Sequence, residues 1–220
     1  MCNLIALELK RNRLNSYHIA VLICGVTMLG FQYLMAAIPH MDPTEPDAEL
    51  FSQYPFLMGL TWLVCMAIFA ILSAVMASRF VVEEYNGKRA ILLLSYPISR
   101  EKVLYAKLML VFAYTVGTMF LCGAVIQAMF FLTESLFPLC SDQLTIEVIL
   151  QSLGFLLCCS ILAGMLGVVS LWLGFRKKSV SVTIVASAIL VTIVCQTISA
   201  ALLLWPIMGI VFGMTGIFAI

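Results

Sequence analysis

A chain of 220 residues with a formal net charge of +1, in which 63% of residues are hydrophobic and only 10% charged, lacks the makeup of a soluble domain, where about a quarter of residues are charged. Its mean hydropathy of +1.11 excludes a water-soluble surface, and apolar runs of about 20 residues or more favour α-helical spans over the ~10-residue alternating strands of a barrel. The near-zero net charge hides a segregation: every Lys and Arg lies among Lys10, Arg11 and Arg13, between Arg79 and Lys107, or at Arg176, Lys177 and Lys178.

That segregation sets the expected topology. Cytoplasmic loops carry the excess of Lys and Arg, so the amino terminus, the Arg79 region and the Arg176 cluster are assigned to the cytoplasm. Each basic cluster sits where a membrane topology needs it, which leaves no charge pattern calling for nucleic acid. Six of the eight Cys (Cys24, Cys65, Cys122, Cys158, Cys159 and Cys195) fall inside apolar runs, where a thiol is a small hydrophobe. No structural disulfide is expected.

Met1 to Tyr17 mixes Leu4, Leu7 and Leu14 with Glu8 and the first basic cluster. It reads either as a helix lying at the membrane interface or as the basic flank of span one. Span one is expected over about 18–38, a retained anchor rather than a cleaved signal, and ended by Pro39. The loop that follows carries Asp42, Glu45, Asp47 and Glu49 with no base, which suits a hydrated external turn. Span two covers about 55–78, with Pro55 at its start, Trp62 in its outer half, and a strip of small residues (Ser73, Ala74, Ala77, Ser78) fit for close helix contact.

Residues 79–107 form the one long polar segment between apolar runs. Phe80 to Tyr85 continue span two, Asn86-Gly87 can end it, and Tyr96-Pro97 breaks the chain again. Ser99 can cap a new helix. Ala90 to Leu94 is too short to span and costly to leave in water, so the segment reads as a short amphipathic element held between two helix ends.

Span three is expected over about 108–133, span four over about 148–175, with Ala163, Gly164 and Gly167 as packing residues, and span five over about 180–203. Gln196 and Thr197 are its polar exceptions, read as an interhelical hydrogen bond. After Pro206, residues 207–220 make about 21 Å of helix, short of the ~30 Å hydrocarbon core. They read as an incomplete sixth span or a re-entrant element. The spans lack charges, which argues against an ion path. There is no phosphate-loop motif, and the two His, His18 and His40, are isolated, so neither ATP chemistry nor a metal site is expected of this chain.

The run E-E-Y-N-G-K-R-A-I-L-L-L-S-Y-P-I-S-R-E-K-V-L-Y-A-K resembles the region between the second and third spans of ABC-2 type transporter permeases, closest to the small six-span permeases for export of, or immunity to, antimicrobial peptides such as lantibiotics. The matching positions are Glu83 or Glu84, Gly87, Leu92, Leu93, Tyr96, Pro97, Ile98, Ser99, Arg100, Ala106 and Lys107. The resemblance implies an all-α integral membrane protein of the six-span, type V exporter-like class, with residues 1–17 as an amino-terminal interfacial helix. It implies a multi-pass protein of a bacterial cell membrane.

By the same resemblance, residues 79–107 would couple the permease to a separate ATP-binding subunit, with Glu83, Glu84, Gly87, Leu92, Leu93, Tyr96 to Arg100 and Lys107 as coupling residues. A second permease subunit, identical or related, would complete the pair. The chain itself would bind no cofactor; ATP and Mg would sit in the partner subunit. The substrate would be a hydrophobic or amphipathic peptide among membrane lipids. A different class of function, a membrane scaffold or sensor that recruits a cytoplasmic protein without transport, predicts no dependence on an ATPase.

Overall fold

A computed structural model describes residues 15–41, 51–82, 100–136, 145–177 and 179–198. Among them the chain forms five helices long and apolar enough to cross a membrane, and no strand. These are α1 (Asn15–Met41), α2 (Tyr54–Ala77), α3 (Arg100–Glu134), α4 (Ile146–Lys177) and α5 (Val180–Ile198). The expected interfacial helix over 1–17, for its first fourteen residues, and the sixth element over 207–220 lie outside the described residues.

The helices alternate in direction. Pairs such as Tyr33 Oη with Thr133 Oγ1 at 2.6 Å and His18 Nδ1 with Tyr114 Oη at 3.0 Å make α1 and α3 parallel. Lys107 meeting Phe80, and Tyr54 meeting Phe131, make α2 and α3 antiparallel. Trp62 Nε1 donates to Ser152 Oγ at 3.1 Å, and a Cβ on Gly167 would fall on Ser73, so α2 and α4 run together. The described Lys and Arg residues therefore gather at one end of the bundle, the basic end, while Glu134 and Glu147 mark the opposite end.

The centre of the bundle is α2. Of its apolar window 61% is buried, against 22% for α1 and 17% for α5, and it packs against α1, α3 and α4. The sequence strip of small residues explains how: Ser73, Ala74, Ala77 and Ser78 are all at most 1% exposed, and Gly167 of α4 lets the two backbones close on Ser73. One turn earlier on α4, Gly164 accepts Phe112 and Val116 of α3. Small residues carry helix contacts in lipid because lipid gives no hydrophobic drive to association.

Several expectations are corrected. Pro39 does not end α1, which continues to Met41; in the last turn the missing N–H removes a single hydrogen bond. Trp62, read from the sequence only as lying in the outer half of its span, is fully buried, with its indole N–H satisfied by Ser152 inside the bundle. Gln196 and Thr197 are exposed, and Thr197 donates to the Val194 carbonyl of its own helix at 2.8 Å, so among the described residues no interhelical bond forms there. Residues 100–107 are the first turns of α3, 35 residues and about 52 Å long, well beyond a ~30 Å hydrocarbon core.

Two separate apolar cores hold the bundle. The larger runs from Tyr54, Leu57 and Trp62 through Phe69, Met119, Ile126, Leu156 and Ala163. The smaller lies at the basic end, built from Met76, Ala77, Phe80, Val81, Leu110, Val111 and Leu171, with Tyr17 and Val180 against it. All five helices contribute to that smaller core.

Candidate functional site

The basic end is where the described residues bracket the segment singled out in the sequence. After Ala77 the chain of α2 widens into a π-helical turn, Ser78–Val82. The described chain resumes at Arg100, the first residue of α3. The coupling candidates Glu83, Glu84, Gly87, Leu92, Leu93, Tyr96, Pro97, Ile98 and Ser99 lie outside the described residues. Arg100 is described only as backbone at the α3 start, and Lys107 is described in full.

The π turn follows from what precedes it. Ser78 N–H is shared between the carbonyls of Ala74 and Val75, and Ser78 Oγ donates to the Val75 carbonyl at 2.8 Å. The regular ladder gives way from this residue on, and π turns recur at functional positions in helices. Lys107 is only 1% exposed and its Nζ donates to the Phe80 carbonyl at 3.1 Å. A cation at a helix carboxyl terminus also meets the negative end of the helix dipole.

Two aromatic contacts tie α1 to the same place. The Tyr17 ring stands edge-on to Phe80, centroids 5.7 Å apart at 78°, and His18 lies 5.5 Å from the Tyr114 ring while sharing a hydrogen bond with its hydroxyl. The end of α2 is thus gripped by α1 through a ring and by α3 through a buried ammonium. On the far side, α4 turns into α5 with Ser179 N–H donating to the Gly174 carbonyl at 3.3 Å. Arg176 lies over the Trp172 ring, 5.3 Å from its centroid.

The arrangement is mechanical: α1 and α3 both hold the end of α2. Among the described residues no group of three or more His, Cys, Asp or Glu is placed to hold a metal ion. Of the sequence-chosen residues, Lys107 faces inward and acts on α2, so it mounts the segment and presents no surface of its own. Two features escaped the sequence reading. The first is the π turn, which has no residue signature. The second is a set of buried amides, Gln32 and Gln127, whose side-chain atoms have no hydrogen-bond partner among the described residues. For Gln127 the available signal was a polar residue in an apolar span.

Residues 4–194 match a family described as ABC-2 family transporter protein. The chain is also similar to a protein of Bacillus subtilis (strain 168) described as uncharacterized protein YcbO. The two are 31% identical over 196 residues, covering 89% of this chain and 84% of the relative. No solved structure matches the chain.

Proposed function

Since the chain belongs to the ABC-2 family of transporter proteins, and so is a multi-pass membrane permease subunit working with an ABC ATP-binding subunit, we propose that its basic end is the docking end for that subunit. In this reading the basic end faces the cytoplasm, by the distribution of Lys and Arg. Residues 83–99 form the docking surface, with Leu92, Leu93 and Tyr96 to Ser99 at its centre. Glu83, Glu84 and Gly87 lead out of α2, and Arg100 leads into α3.

One observation carries the reading: both ends of that segment are anchored in a buried core, through the π turn and Lys107 on one side and α3 on the other. A push on such a segment is delivered to the central helix and not dissipated in a loop. ATP and Mg are handled by the partner, and the permease contributes two states with different affinity for substrate. A second permease copy or a related chain completes the transporter. The substrate is a hydrophobic or amphipathic peptide, exported or expelled from the membrane, in keeping with spans that offer no charged route.

Co-purification in mild detergent with an ATP-binding subunit encoded beside it tests the proposal. The expected result is a stable complex whose ATPase activity or association is lost on Leu93→Asp and weakened on Pro97→Ala. A complex indifferent to both changes removes the docking assignment. A chain that binds some other cytoplasmic protein with no ATPase dependence is instead a scaffold or sensor.

A further inference from the structure

Gln127 sits on α3, 3% exposed, with neither Nε2 nor Oε1 hydrogen-bonded. A bare amide at this depth is expensive: without a partner it costs on the order of 1–3 kcal/mol by protein mutational measures, and more where no water can reach. Its register says what it confronts. A Cβ on Gly123 would lie 2.5 Å from Leu156 Cδ1, and α3 and α4 are antiparallel. Gln127 follows Gly123 by four residues and Ser152 precedes Leu156 by four, so the register puts the two at one level, one turn nearer the opposite end.

Ser152 is itself 6% exposed and accepts the indole N–H of fully buried Trp62. The amide of Gln127, the hydroxyl of Ser152 and the indole of Trp62 thus come from three helices to one level, with no charge among them. Around them the bundle is apolar: Met58, Leu63, Ile126 and Leu156 belong to the larger core.

We propose that Gln127 and Ser152, beside the Trp62 ring whose one N–H is already given to Ser152, form a binding site for an uncharged hydrogen-bonding group, a backbone amide, carried by an amphiphile whose chain lies along the α3–α4 seam. A primary amide presents one acceptor and two donors, which matches the donor and acceptor of a peptide unit. A charged headgroup finds no counter-charge among the three. The site rests on the permease reading and narrows its substrate class to amphiphiles bearing free amide N–H groups.

Trp62 is a built-in reporter once Trp172→Phe and Trp205→Phe leave it as the sole indole of the full chain. In phosphatidylcholine liposomes, a neutral lauroyl dipeptide amide is expected to shift Trp62 emission saturably. Gln127→Leu is expected to raise the half-saturating concentration about tenfold, the loss that one or two uncharged hydrogen bonds carry. Gln127→Asn should recover part of it. The same probe with every amide N-methylated should bind the unaltered site as weakly as the intact probe binds Gln127→Leu.

Equal saturation by the two probes overturns the proposal without reliance on any variant. So does Gln127→Leu binding the intact probe unchanged. Co-purification of the ATP-binding subunit with the same chains reads the permease assignment separately: a complex that forms while the probes are indistinguishable sinks this site alone, and absence of a complex sinks the earlier reading.

Discussion

Lys107 is the residue whose chemistry is most constrained by its place. Its ammonium is buried and given to the Phe80 carbonyl, a charge-assisted bond of a type that contributes about 1.5–3 kcal/mol. Lys107→Met keeps the length of the side chain and removes the donor. We expect a lower thermal midpoint in detergent, equivalent to about 2 kcal/mol, and weaker association with the ATP-binding subunit. Lys107→Arg should retain most of both, because a charged donor remains. An unchanged midpoint for Lys107→Met would mean that the bond contributes nothing. The sequence made Lys107 a candidate, but as part of a surface. Its inward direction was not legible, since a Lys flanked by Ala106 and Leu108 can either snorkel to water or turn to a carbonyl, and only the placement of Phe80 decides.

At the level of helices, glycines separate into two kinds. Gly167 lies where α2 and α4 touch, and a Cβ there meets Ser73 Oγ, Cβ and backbone carbon. Gly167→Val is expected to cost on the order of 1–3 kcal/mol and to give a polydisperse elution profile, with partial recovery in the double variant with Ser73→Gly. Gly117 and Gly154 have nothing within 4 Å of a built Cβ. Gly117→Ala and Gly154→Ala should be neutral or stabilising by up to about 1 kcal/mol, the helix-propensity difference. A midpoint loss for Gly117→Ala as large as that for Gly167→Val would contradict this seam. The five helices were legible because long apolar runs in a chain this poor in charge admit little else. The small residues Ser73, Gly164 and Gly167 were legible as contacts, but not their partners. Spacing reports a face and not what it meets, which is also why Trp62 was legible only as lying in the outer half of its span and Gln196 was read as bonding inside the bundle.

For the whole molecule, the orientation is a prediction of charge alone. In a Cys2→Ser and Cys140→Ser background, a membrane-impermeant thiol reagent added to intact cells should label Leu136→Cys and leave Lys177→Cys untouched. The reverse pattern would invert the topology. The native thiols of the bundle should stay silent, because Cys65 and Cys159 are buried and the other four, Cys158 included, lie within the apolar spans, where an impermeant reagent does not reach. The two cores also have a consequence for how movement crosses the membrane. Between them α2 touches α4 at Ser73 and Gly167 with almost no side chain intervening, and that point would be the fulcrum of any rocking of α2. Phe80 lies seven residues to one side, about 10 Å along the axis, and Trp62 eleven residues to the other, about 16 Å. A rigid α2 rocking there is an unequal lever. Each ångström by which the π turn is displaced becomes about 1.6 Å at Trp62, in the opposite direction.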